Sequence, residues 1–325
     1  MQKLMSSKII LVVLGEPNSI FSEVLFKFFK SKISTQNNKK IVLIGNKKLL
    51  IKQMKLLKYN FYLNEITKIR EALSTKINII NINYKFKSAF GKINSSSNKY
   101  IENSFKKAID LVKKEGLTKI INGPISKTHF LKKKFPGITE YVASKSSSKA
   151  PVMLIYNEKL AVTPLTTHIP IKKVSKYVKK AKIIKNITQV DKFYKSKLKK
   201  IPKFAILGLN PHCESTDRIS EEKKEIIPAI KKLNRNKIQV SGPFSADTFF
   251  LRKNIKRFDV VMGMYHDQVL IPIKTLFEFE AINITIGLPF IRVTPDHGPN
   301  HNMIGKNKSD ASSIFYAFKF LNKIK

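Results

Sequence analysis

The chain has 325 residues, with 62 Lys and Arg against 22 Asp and Glu, a formal net charge of +40, 42% hydrophobic residues and one cysteine. This is globular composition, and it excludes a fibre, a mostly disordered chain, an internal disulfide and a cysteine-rich zinc module. Arginine fills only six of the basic positions and lysine is spread along the whole chain. The charge therefore reads as a solvated surface, and nucleic acid is not expected as a partner, because bidentate reading of phosphates and bases favours arginine.

From the N-terminus, the β-branched run Lys8–Leu14 leads into Gly15-Glu16-Pro17 with no small-residue cleavage site. It predicts a first strand rather than a signal peptide, and a cytoplasmic protein. No apolar run approaches the ~18 residues of a membrane span, so no membrane partner is expected. Further strands are predicted at Ile41–Ile44, Ile77–Ile82, Ile120–Ile121, Val152–Tyr156, Phe204–Leu209, Val260–Met264 and Ile282–Ile286. Helices are predicted over Ser19–Lys30, Tyr100–Lys114, Ile171–Lys195, Glu221–Leu233 and Asp310–Leu321, with polar loops at Ser34–Lys40, Asn94–Lys99 and Ser144–Lys149. This alternation predicts an α/β protein with helices on both faces of a sheet. The lysine-rich stretch Ile171–Lys200 is read as a surface helix with Val174, Tyr177, Val178 and Ala181 on its apolar side.

No two of the twelve glycines are separated by a single residue, so the chain has neither a G-x-G-x-x-G turn nor a P-loop. Gly123-Pro124, Gly242-Pro243 and Gly298-Pro299 predict rigid turns after apolar runs. Three of the six histidines share one setting: His168 follows the strand-like run Ala161–Leu165, His212 follows Phe204–Leu209 and His266 follows Val260–Met264, each among polar residues. Ligands gather at the carboxyl ends of strands in open α/β sheets. Three imidazoles there could hold a divalent metal, with Asp247 or Asp267 orienting a ring or ligating directly. Separate loop or capping histidines remain the other reading of the same spacing. Cys213 is read as a small buried residue, and His129 and His301 as structural or solvent-facing. No Ser-His-Asp or Cys-His signature stands out.

Several segments together resemble the 4-hydroxythreonine-4-phosphate dehydrogenase family of pyridoxal phosphate biosynthesis. They are Asn122-Gly123-Pro124-Ile125-Ser126-Lys127, Thr166-Thr167-His168-Ile169-Pro170 and Gly208-Leu209-Asn210-Pro211-His212. The series continues with Gly242–Thr248, Tyr265-His266-Asp267-Gln268, Asn283–Arg292 and Asp296-His297-Gly298, and Gly15-Glu16-Pro17 is similar to the family's opening turn. The resemblance implies a two-lobed α/β/α fold similar to isocitrate and isopropylmalate dehydrogenases, with the active site in the interlobe cleft. One lobe would comprise residues 1–125 plus 288–325, with the termini and nucleotide loop; the other, 126–287, would carry the metal-binding histidines and dimer contacts. It implies a homodimer with shared active sites. It also implies one divalent metal per site (Zn, Mg or Co) on His168, His212 and His266, the last reaching into the neighbouring subunit's site. Substrate contacts fall on Thr139, Lys274, Asn283 and Arg292, and NAD or NADP contacts on Asp296, His297 and Gly298. Catalytic candidates are Asp247, Asp267 and Lys274.

Three positions depart from the family pattern. Ile138 stands where the family has a substrate-binding histidine, Asn18-Ser19 replaces the glycine after the opening turn, and Pro299-Asn300 replaces small residues after Gly298. The family reaction oxidises 4-phosphohydroxy-L-threonine at its secondary hydroxyl, and the resulting β-keto acid can lose CO2. Ile138 leaves open a sister dehydrogenase acting on a threonate- or erythronate-type 4-phosphate. A basic polyanion-binding protein without catalysis is the remaining alternative.

Overall fold

The computed structural model describes residues 8–31, 39–132, 134–148, 150–214, 220–295 and 297–324. In chain order the main elements are β1 (Ile9–Val13), α1 (Phe21–Lys30), β2 (Lys40–Gly45), α2 (Lys47–Leu56), β3 (Leu63–Glu65), β4 (Ile77–Asn81), α3 (Asn98–Glu115), β5 (Lys119–Asn122) and α4 (Ile138–Lys145). They continue as β6 (Val152–Tyr156), β7 (Ala161–Pro164), α5 (Lys180–Phe193), β8 (Phe204–Leu207), α6 (Ile227–Arg235), β9 (Val240–Phe244) and β10 (Val260–Gly263). The last are α7 (His266–Phe277), β11 (Ile282–Ile286), β12 (Ile291–Pro295) and α8 (Ser312–Lys323). The chain is thus an α/β protein, as its alternating pattern predicts. Residues 34–38 of the expected first loop lie outside the described residues, while Ser144 and Lys145 belong to α4 rather than to a loop.

Two compact units emerge, Met1–Pro151 with Leu288–Lys325, and Val152–Gly287. The first crossing therefore falls after Pro151 and not after Ile125. The reason is packing: Ile125, Leu131, Tyr141 and Val142 share one apolar cluster with Leu11 and Val13 of β1 and with α3.

In the first unit the strand order is β3-β4-β2-β1-β5-β12, with parallel pairing throughout. All five residues of β1, Ile-Ile-Leu-Val-Val, are buried, as expected of a parallel strand covered on both faces. Helix α3 places Ile101, Phe105, Ala108 and Val112 against β1 at helical spacing. It ends at Gly116, whose φ of 64° is the left-handed conformation that closes a helix. The opening turn is equally constrained. Gly15 has φ 71°, and a Cβ there would lie 2.5 Å from the Pro124 carbonyl oxygen. Ser19 closes the turn, donating from Oγ to the Glu16 carbonyl (2.7 Å) and accepting from the Phe21 amide (3.3 Å).

In the second unit the order is β11-β6-β7-β10-β8-β9. The β11/β6 and β6/β7 pairs are antiparallel, while β7, β10, β8 and β9 run parallel. Val162, Ala205, Leu207 and Val261 from these strands pack with Val269 and Ile273 of α7. Each of the Val, Leu and Ile side chains, fully buried, contributes roughly 1.5–3 kcal/mol. The long helix expected over Ile171–Lys195 is broken: a short turn at Val174–Tyr177 ends at Val178, and α5 begins after an extended Lys179. Val174 and Val178 are buried as the pattern predicts, whereas Tyr177 and Ala181 are exposed. Among the described residues no helix is long and apolar enough to cross a membrane.

Candidate active site

The adjacent parallel strands β7, β10 and β8 end on the same side of the second unit's sheet, and each is followed by one of the three histidines. Their exits are tied together. The amides of Leu165 and Thr166 donate to the carbonyls of Gly263 (2.8 Å) and Met264 (3.2 Å), and Thr166 Oγ1 also donates to Met264 O (2.7 Å). Gln268 accepts at Oε1 from the Met264 amide (2.6 Å) and donates from Nε2 to Gly208 O (2.7 Å), joining the ends of β10 and β8. The loop bearing His212 is held by Glu222, which is 1% exposed and accepts from the amides of Leu209 (2.8 Å) and Asn210 (2.9 Å) and from Asn210 Nδ2 (2.9 Å). Burial pushes the Glu222 carboxyl up, but these hydrogen bonds outweigh it and hold it below the ordinary carboxylate value.

His266 is not a loop residue; it opens α7, with Asp267 beside it in the first turn. Its Nδ1 lies 2.6 Å from Asp267 Oδ1. A carboxylate partner places the proton on Nδ1 and leaves Nε2 with its lone pair, the tautomer that suits a metal ligand. The His266 and His168 rings stand 5.9 Å apart, centroid to centroid. His212, at φ 54°, pairs instead with Asp247, Nε2 to Oδ2 at 3.6 Å. Among the described residues no three His, Cys, Asp or Glu side chains come close enough to share a metal ion. The donor types, imidazole and carboxylate, fit a divalent cation such as zinc, magnesium or cobalt. Among the described residues they stand as two pairs, His168 with His266 and His212 with Asp247. Cys213 is half-buried against Gly208, and burial pushes its thiol up. Asn283 on β11 has a buried Oδ1 with no hydrogen-bond partner among the described residues, and Lys274 is exposed on α7.

The first unit carries the other predicted contacts. Arg292, on β12, is 1% exposed. Its Nε donates to Asn122 Oδ1 (2.7 Å) and its Nη1 to Thr139 Oγ1 (3.2 Å). Burial pulls the guanidinium down to about 9, against the opposing charge of Glu140, so it stays positive at neutral pH. Ile138, the residue before Thr139, packs against the apolar cluster of this unit. In the predicted nucleotide loop, His297 is half-buried, lies 6.3 Å from the Phe21 ring and meets the Gly298 carbonyl at 3.0 Å through Nδ1. A Cβ at Gly298 would touch nothing within 4 Å, and the Pro299 carbonyl accepts from the Ile20 amide (3.2 Å). Asp296 lies outside the described residues.

A sequence profile described as "Pyridoxal phosphate biosynthetic protein PdxA" matches residues 37–321. The chain belongs to the PdxA family. A 4-hydroxythreonine-4-phosphate dehydrogenase of Sulfurihydrogenibium sp. is 39% identical over 94% of this chain and 95% of its own. A relative from Oceanobacillus iheyensis, named for D-threonate 4-phosphate dehydrogenase, is 31% identical over 96% of this chain and 97% of its own. Among solved structures, a 4-hydroxythreonine-4-phosphate dehydrogenase from Klebsiella pneumoniae superposes with a TM-score of 0.81 at 26% identity, covering 97% of this chain and 98% of that one. Isocitrate dehydrogenase from Methylococcus capsulatus, at 9% identity and a TM-score of 0.51 over 96% of this chain and 84% of that one, shares the fold.

The strand-end setting singles out the three histidines and the family resemblance singles out Arg292, whereas neither points to the side chains that support them. Gln268 and Asn122 lie inside the recognisable segments, Asn122 as a polar residue at a strand end and Gln268 in the first turn of α7. Glu222 gave no signal, because it is one of two adjacent glutamates in a charged helical stretch.

Proposed function

We propose that this PdxA-family protein oxidises 4-phosphohydroxy-L-threonine with NAD or NADP. The product is 2-amino-3-oxo-4-(phosphohydroxy)butanoate, which loses CO2 to give 3-amino-2-oxopropyl phosphate, in the making of pyridoxine 5'-phosphate. The observation that carries this reading is the buried, positively charged Arg292 held on Asn122 and Thr139. A guanidinium held in this way is suited to a phosphate or carboxylate of the substrate, which it can bind through charge-assisted hydrogen bonds. Lys274 adds a second cation, and Asn283 offers its buried amide oxygen as an acceptor.

His168, His212 and His266 would hold the divalent cation, with Asp267 keeping the His266 ring in its ligating tautomer. When bound, the cation supplies Lewis acidity at the reacting hydroxyl and the nicotinamide accepts the hydride. Asp247, beside His212, or Asp267, beside His266, takes the hydroxyl proton as the alcohol carbon becomes a ketone. His297 and Gly298, with Asp296, hold the nucleotide. Following the family resemblance, the reading includes a homodimer in which His266 completes the partner subunit's site. The protein is taken to be cytoplasmic.

The test is initial-rate formation of reduced nucleotide with 4-phosphohydroxy-L-threonine and with D-threonate 4-phosphate. The amino-acid phosphate is expected to give the higher kcat/KM. The 31% identical threonate-named relative and the isoleucine at 138 favour the second substrate as the alternative; a higher kcat/KM with it would replace the present reading. Activity with neither would remove both.

A further inference from the structure

Asn122 ends β5, is 1% exposed, and lies on the strand that pairs in parallel with β12, where Arg292 stands opposite Ile120. Its amide has a defined orientation. Nδ2 donates to the Gly123 carbonyl (2.8 Å), which turns Oδ1 toward the Nε–H of Arg292 at 2.7 Å. Flipping the amide would set two donors facing each other at one end and two acceptors at the other. Thr139 Oγ1 accepts from Nη1 at 3.2 Å and gives the guanidinium a second fixed point. Two acceptors on different nitrogens define the plane of the group. Both are neutral, so they orient the cation without cancelling its charge. An aspartate at 122 would orient it equally well and neutralise it.

We propose that Asn122 is the positioning residue that fixes the guanidinium plane of Arg292 for an anionic substrate. The proposal rests on the reading of the chain as a dehydrogenase of a phosphorylated hydroxy acid. Asn122 acts through Arg292, so its contribution exists only while Arg292 is present.

The test is a double-mutant cycle of Asn122→Leu and Arg292→Ala, read as KM and kcat for 4-phosphohydroxy-L-threonine and as the calorimetric Kd of that compound without nucleotide. Asn122→Leu is expected to raise KM and Kd about ten- to a hundredfold, the worth of one charge-assisted hydrogen bond. It should change kcat much less and leave the KM of the nucleotide unchanged. In the Arg292→Ala background it should add nothing. A second readout needs no substrate. The Nε–H resonance of Arg292, assigned by its absence in Arg292→Ala, should exchange slowly with solvent in the wild type and in Asn122→Asp, and fast in Asn122→Leu. Asn122→Asp should still raise KM, because the plane is kept and the charge is cancelled. If Asn122→Leu folds poorly, Asn122→Ser runs the same cycle. Additive losses, or an Nε–H equally protected without Asn122, would overturn the proposal. A wild-type protein that does not turn over the phosphate would instead refute the functional reading, and the Nε–H exchange would still decide the clamp.

Discussion

Lys119 and Arg292 are both buried cations in a chain whose other basic residues are mostly solvated, and they are satisfied in different ways. Lys119 is 0% exposed and donates to the carbonyl of Ile324, at the end of α8, where helix carbonyls present negative charge. Arg292 is instead oriented by two side chains, Asn122 at Nε and Thr139 at Nη1. Its candidacy as a substrate contact was legible in the sequence, because arginine is scarce and the segment around it is distinctive. Asn122 was not legible as its partner, because the two are 170 residues apart and only strand pairing brings them together. Ile138 is the residue-scale departure that bears on substrate. An imidazole bonded to a charged group contributes about 1.5–3 kcal/mol, and isoleucine offers no such bond. Here the side chain packs on the apolar cluster of its unit instead. Ile138→His is expected to lower KM for 4-phosphohydroxy-L-threonine about tenfold or more and leave kcat nearly unchanged. Steady-state kinetics decides it: an unchanged or raised KM means that the pocket is built around isoleucine.

At the scale of elements, the eight apolar, β-branched runs read as strands are strands because burial on two faces demands that composition. The elements harder to see, β3, β9 and β12, are short or carry Gly, Pro or Arg, and their pairing comes from neighbours in space. The break between Val178 and Lys180 was invisible for a similar reason. It contains neither Gly nor Pro and is made from outside the segment. Glu225 accepts from the Lys180 amide (2.7 Å) and from Lys179 Nζ (3.2 Å), serving as the cap that α5 lacks in its own sequence. The backbone hydrogen bond from Lys180 is the main reason that the Glu225 carboxyl titrates below its ordinary 4.5. A depressed carboxylate stabilises the fold above its unfolded value, and that stability is lost as pH falls through the folded value. Glu225→Ala is therefore expected to cost about 1 kcal/mol near neutral pH, the usual worth of a cap. In denaturant titrations at descending pH the gap to wild type should close as the carboxyl protonates. A gap that persists into acid would mean that packing, and not the cap, holds the break.

For the whole molecule, the two units divide the predicted contacts: His168, His212, His266, Lys274 and Asn283 lie in Val152–Gly287, while Thr139, Arg292 and the nucleotide loop lie in the other unit. The grouping of the histidine-bearing strands followed from their common setting, since β7, β10 and β8 are neighbours and parallel. Their standing as two pairs among the described residues did not, because side-chain direction is not carried by spacing. A site completed by a second copy makes a definite prediction. His212→Ala and His266→Ala chains, each inactive alone, should recover activity when mixed under conditions of subunit exchange, since one site of the heterodimer then keeps all three histidines. No recovery despite demonstrated exchange would place all three in one chain. The central claim, oxidation of a β-hydroxy acid that then decarboxylates, is tested most directly by measuring CO2 and reduced nucleotide together from 4-phosphohydroxy-L-threonine. Equal molar yields are expected, with both abolished in Arg292→Ala at limiting substrate; no reduced nucleotide, or reduced nucleotide with a stable carboxylated product, would contradict it.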